Sequence, residues 1–225
     1  MASIIGNTSG QGLEVEQGTS ALRAVLRPQD IGNLGSYRKG MTSGTIAPGL
    51  PAGSKVFGFR WAPGPGGLLC LVKHIQISMG DLLGFSPGLV AINALVARPY
   101  TALDVTGATP GTFTGNNAKL RTSFASSAGA SCAIAQTGAI SGGSSTLDTD
   151  PFATVSGSVP NTAGNPPIIN GFDLWGPLPG EQPLVLANNE GFIIQATVPG
   201  TGTWQIGVAV QWDEVGSAVN QGGYS

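Results

Sequence analysis

Catalysis needs proton carriers, nucleophiles or metal ligands held close together, and this 225-residue chain supplies few of them. His74 is the single histidine. It falls within a run rich in apolar residues, with no His, Cys or paired carboxylate at ligand spacing, so a structural or surface role outweighs a zinc centre or a Ser-His-Asp arrangement. The best carboxylate pair is Asp148-Thr-Asp150-Pro151, where two acids flanking a threonine would suit calcium. The segment lacks the further oxygen donors in register that calcium sites use, and Asp before Pro is ordinary turn chemistry. Asp213-Glu214 ends the last apolar run, where solvated acids stop a sheet from extending. No GxGxxG or P-loop pattern stands between a strand and a helix, so glycine here serves turns. The expectation is a protein that is not an enzyme, with no catalytic residue, no cofactor and no metal.

Binding through charge is the next chemistry to weigh. Arg23, Arg27, Arg38, Lys39, Lys55 and Arg60 lie near Tyr37, Phe57, Phe59 and Trp61. Their density is low, the sequence pI is about 5.2, and the aromatics alternate as core positions do, so no nucleic acid is expected as a partner. The net charge of −2 hides an asymmetry. Ten basic residues against five acidic ones leave +5 on residues 1–121, while residues 122–225 carry seven acids and no Lys or Arg. Opposed halves favour internal pairing or head-to-tail contact between copies, unless the two halves interleave in one sandwich and the signs mix. No apolar window approaches the 18 residues or so of a membrane span, and the opening residues carry no basic or long apolar export signal. Cytosolic synthesis and no membrane partner are expected. Cys70 and Cys132 are too few for a disulfide scaffold and are expected reduced and buried.

The elements that must carry these residues read as strands. Trp204, Ile206, Val208, Val210 and Trp212 alternate with Gln205, Gly207, Ala209 and Gln211, the period-two pattern of a strand with one dry face. Phe192 to Val198 is β-branched and aromatic, and Pro199-Gly-Thr-Gly202 can supply positive φ angles, so a hairpin is expected here. Leu68 to Met79 and Lys55 to Ala62 are further strands with a Pro-Gly turn between them at 63–67; Lys73 breaks the apolar parity, as at a sheet rim. Shorter strands are expected at Ala21 to Leu26, Leu89 to Ala97, Lys119 to Ala125, Ser131 to Gln136, Phe152 to Ser156 and Pro183 to Ala187. The segments 106–117 and 126–149 read as long Gly/Ser/Thr-rich loops. With Gly 36, Pro 16 and only 10% charged residues, the fold expected is all-β: an antiparallel, jelly-roll-like β-sandwich with little helix. Residues 1–20 form a polar N-terminal arm, 21–215 the single sandwich domain and 216–225 a C-terminal tail.

Several stretches taken together resemble a family of structural proteins of tailed bacteriophage virions. They are Arg27-Pro-Gln-Asp-Ile-Gly-Asn-Leu-Gly-Ser-Tyr-Arg38, Phe57-Gly-Phe-Arg-Trp61, Leu71-Val-Lys-His-Ile75, Pro183-Leu-Val-Leu-Ala-Asn-Asn-Glu-Gly-Phe192, Gly202-Thr-Trp-Gln-Ile206 and Gln211-Trp-Asp-Glu-Val215. The likeness runs from about Ala21 to Val215 and is one of strands and turns, with no site motif to carry over. By fold-level analogy it implies a capsid decoration, or cement, protein on the virion surface, bound to the major capsid protein and to copies of itself, with a homotrimer favoured. The N-terminal arm and the basic loops that include Arg23, Arg27, Arg38 and Lys39 are the expected capsid or subunit contacts. The alternative is a head-fibre or tail component that binds a host receptor or glycan, with Trp175 in Phe172-Asp-Leu-Trp-Gly as a sugar platform or, more simply, a loop anchor.

Overall fold

The computed structural model describes residues 33–84, 86–159, 169–178 and 181–216. The expected arm, the strand at Ala21 to Leu26, and residues 217–225 of the tail lie outside the described residues. Among the described residues there are twelve strands and no helix. They are β1 (Asn33–Thr42), β2 (Ser54–Trp61), β3 (Leu68–Leu83), β4 (Gly88–Ala102), β5 (Ala108–Pro110), β6 (Ala130–Ala135), β7 (Ser144–Leu147), β8 (Ala153–Val159), β9 (Ile169–Trp175), β10 (Leu184–Leu186), β11 (Glu190–Thr197) and β12 (Thr203–Gly216).

All pairings are antiparallel and build two sheets. One runs β1-β12-β3, with β10 and β9 both on the far side of β3; the other runs β5-β6-β2-β11-β4, with β7 and β8 both on the far side of β4. Their inner faces share one core that includes Trp61, Trp204, Trp212, Tyr37, Phe57, Phe59 and Phe192, all essentially without solvent contact. Each such side chain contributes about 1.5–3 kcal/mol by leaving water, and the rings add directional contacts. Tyr37 stacks on Trp212 at 5.4 Å between centroids, and Phe59 on Phe192 at 5.4 Å. The chain is therefore a β-sandwich, as its alternating apolar pattern requires.

The expected hairpin at 192–212 is corrected by the pairing. β11 sits between β2 and β4 in one sheet, and β12 between β1 and β3 in the other. The turn with Gly202 at φ 90° is real, but it carries the chain across the sandwich instead of back along the same sheet. Alternation reports that a strand has one buried face; it does not say which strand is its neighbour. The 63–67 turn likewise leads from β2 in one sheet to β3 in the other, with Gly64, Gly66 and Gly67 all at positive φ.

Lys73 lies at a bulge inside the sheet and not at a rim. Register slips between Gln211 and Trp212 opposite His74 and Val72, leaving Lys73 unmatched. Buried parity changes across it, from Cys70 and Val72 to Ile75, Ile77 and Met79. An extra residue in one strand reverses which face the following side chains take.

Lys119 to Ala125 is not a strand; it meets β1 through the bridge of Tyr37 with Lys119 and through the Tyr37 hydroxyl, which donates to the Ala125 carbonyl at 3.0 Å, and otherwise forms turns and bends. The long loops contain short strands, β5 in the first and β7 in the second, whose Ala, Ser and Thr give no apolar alternation to read.

Candidate interaction surface

Arg38 and Lys39, expected in a loop, stand on β1, an edge strand whose side chains alternate between the outer face and the core. Arg38 points outward opposite Gln211 and donates from its guanidinium to the Gln76 carbonyl. Gln76 in turn donates to Asp173 on β9 at 2.9 Å, and His74 Nε2 lies 3.1 Å from the same carboxylate oxygen. The Gln76 amide above all, helped by His74, holds the Asp173 carboxyl below its usual range. Arg38, Gln76, His74 and Asp173 thus form one hydrogen-bonded chain across the outer face of the five-stranded sheet. Among the described residues His74 meets the Asp173 carboxylate and no hydroxyl or thiol.

Beside it lies a shallow depression of about 270 Å³ lined by Gly40, Thr42, Gln76, Ser78, Gly171, Gly207 and Ala209 among others. Its floor is made of small residues in adjacent register, Gly40 opposite Ala209 and Ala209 opposite Gln76. Open and wide, it resembles a contact plane more than the deep, apolar clefts that enclose small ligands.

Lys39 turns to the sandwich margin, donating to the Thr112 carbonyl at 3.1 Å and lying 5.9 Å from the Phe113 ring centre. Arg23 and Arg27 fall outside the described residues. Sequence reading passed over Gln76 and Asp173, because neither residue type nor spacing marks two polar groups on different strands as neighbours.

Several other charged groups are bound up in the scaffold. Asp104 is buried and receives Lys55 Nζ at 3.2 Å, the Tyr100 hydroxyl at 3.1 Å and the Gly143 amide at 3.1 Å. Burial, and next the Asp104 charge, push the Tyr100 phenol up. The expected solvated end at Asp213-Glu214 is corrected: both acids are buried. Asp213 accepts from Ser36 at 2.6 Å and pairs with Lys73 on the outer face. Glu214 points inward and accepts from the Ser127 hydroxyl, the Ala128 amide at 3.1 Å and the Trp212 indole at 3.4 Å. Burial pushes its carboxyl up, and those donors oppose the shift.

Cys70 and Cys132 are buried and unbridged. Burial raises both thiols, Cys132 to about 12, so neither offers a thiolate at neutral pH. Asp148 and Asp150 are exposed in the turn between β7 and β8, and among the described residues no three His, Cys, Asp or Glu side chains gather as a metal site. Trp175 ends β9 instead of lying in a loop; it is half-buried and meets Phe152 edge-on at 5.9 Å. No helix among the described residues is long and apolar enough to cross a membrane. No family model, curated protein or solved structure matches the chain.

Proposed function

We propose that the chain is a non-catalytic structural protein of a bacteriophage virion, a capsid decoration protein that stabilises the shell through protein–protein contacts. The observation that carries this reading is the outer face of the five-stranded sheet, where small Gly, Ala, Ser and Thr residues line an open, shallow depression beside the Arg38–Gln76–Asp173 chain. Such a surface suits a wide, hydrogen-bonded, water-containing contact between subunits. The resemblance to tailed-phage virion proteins supports the same partners, the major capsid protein and further copies of the chain in a homotrimer.

The glycan- or receptor-binding alternative has less support, since Trp175 spends its ring on Phe152. The test removes the protein from purified particles and compares their survival of heat and low salt. Stripped particles should release DNA under milder conditions and recover when the protein is added back. Unchanged survival contradicts cementing.

A further inference from the structure

The sequence left open whether the opposed charges of its two halves mix in the folded sandwich. They mix on the outer face of the five-stranded sheet, where Lys73 pairs with Asp213 and Gln76 joins Arg38 to Asp173, but Lys119 and Arg121 stand at one margin and Asp148 and Asp150 at the other. One margin is formed by β1 with residues 105–129, β5 and β6, joined where the Cys132 and Met41 sulfurs meet at 3.2 Å and where Arg38 N–H donates to the Ala118 carbonyl at 2.7 Å. It carries Lys39, Lys119 and Arg121, and neither Asn33–Thr42 nor residues 105–147 contain an Asp or Glu. The opposite margin is formed by β7 and β8 with β9 and β10, closed by the Phe152–Trp175 contact. It carries Asp148, Asp150 and Glu181, all exposed, with Arg98 of β4, also exposed, next to the Ala97–Leu147 pair. Lys119, Arg121, Asp148 and Asp150 form no ion pair among the described residues.

Each margin also exposes large apolar side chains. Leu120 is 52% exposed on the basic side, where its N–H donates to the Ser36 carbonyl of β1, and Leu178 is 67% exposed on the acidic side. Apolar patches rimmed by charges of opposite sign are the composition of a protein–protein contact.

We infer that this chain associates with a second copy of itself margin to margin, Lys119, Leu120 and Arg121 of one copy facing Asp148, Asp150 and Leu178 of the next. The complement of each margin is present on the same molecule, so a second copy supplies it without any other partner. Because the two surfaces differ, the contact is head-to-tail and leaves one margin of each kind free at the ends of a pair, which a closed ring then satisfies. The inference deepens the self-association half of the proposed function and is separable from attachment to a shell.

Sedimentation velocity on the full chain tests it, at low and high salt, for the wild type, for K119E/R121E, for D148K/D150K, and for an equimolar mixture of the two variants. The wild type should associate at low salt and dissociate as salt rises, and each variant alone should associate about tenfold more weakly or worse. The mixture should associate again, since one variant has two acidic margins and the other two basic ones. A wild type that stays monomeric, one whose association ignores salt, or a mixture that sediments as its separate components overturns the inference. Intact self-association without shell binding would instead remove the decoration reading alone.

Discussion

Arg38 and Asp173 sit on different strands of the five-stranded sheet and are tied together by Gln76, which accepts from the guanidinium and donates to the carboxylate at 2.9 Å. This exposed relay orders the face on which the functional proposal rests.

Replacing Gln76 with Ala should release both ends. The Asp173 carboxyl then titrates nearer its ordinary range, because the Gln76 amide is the largest influence holding it down. Side-chain carboxyl NMR titration checks this. Stability should change little, as expected for an exposed surface pair. An unmoved Asp173 titration would contradict the relay.

Asp104 makes a different prediction because it is buried. Asp104→Ala leaves Lys55 Nζ, the Tyr100 hydroxyl and the Gly143 amide without their common acceptor. Breaking a buried pair costs about 3–5 kcal/mol, and Lys55, a quarter exposed, places this one near about 3 kcal/mol. Urea unfolding at unchanged m-value reads the loss; Tyr100→Phe, which removes the hydroxyl's bond to the Asp104 carboxylate and the longer one it accepts from the Asp104 N–H, should cost about 1–2 kcal/mol.

Glu214 links stability to pH. Its carboxyl is raised above the ordinary 4.5 by burial. Between that value and the raised one the native state binds more protons than the unfolded chain, so this group's contribution falls as pH rises through the window. Glu214→Gln removes the dependence. The wild-type melting temperature minus that of the variant should therefore grow as pH is lowered from neutral toward about 4.5. Parallel curves for the two proteins would contradict a raised carboxyl.

Gly191 tests the packing of the seven-stranded sheet. A Cβ there would lie 2.1 Å from the Phe59 carbonyl oxygen and 2.8 Å from the Tyr100 ring. Gly191→Ala must therefore push backbone, and a loss of about 1–3 kcal/mol or more is expected in thermal unfolding. Gly157→Ala, with open space around its Cβ, is the control.

These groups show why some of the structure was legible in the sequence and some was not. Trp204 to Trp212 alternates cleanly because β12 lies between two neighbours with one face in the core, so its strand state and inward residues could be read directly. Its partners could not, since alternation is the same whether the preceding turn doubles back or crosses to the other sheet. β5 and β7 were missed because short edge strands of Ala, Ser, Thr and Pro bury too little to leave a pattern. Asp213 and Glu214 were misjudged as solvated because burial of a charge depends on distant partners, Lys73 and Ser36 for one, Ser127 and Ala128 for the other. The charge asymmetry was visible from the start, yet only the strand order shows which charges meet, as Lys73 meets Asp213, and which stand apart, as Lys119 and Arg121 do from Asp148 and Asp150.

The central claim is that this sandwich works as a repeated structural contact on a virus shell, and the most direct measurement is a cryo-electron microscopy map of the intact particle with the chain's density assigned. The account predicts density repeated over the icosahedral shell, with the outer face of the five-stranded sheet or the charged margins in contact. Density confined to the tail or to one vertex would contradict it.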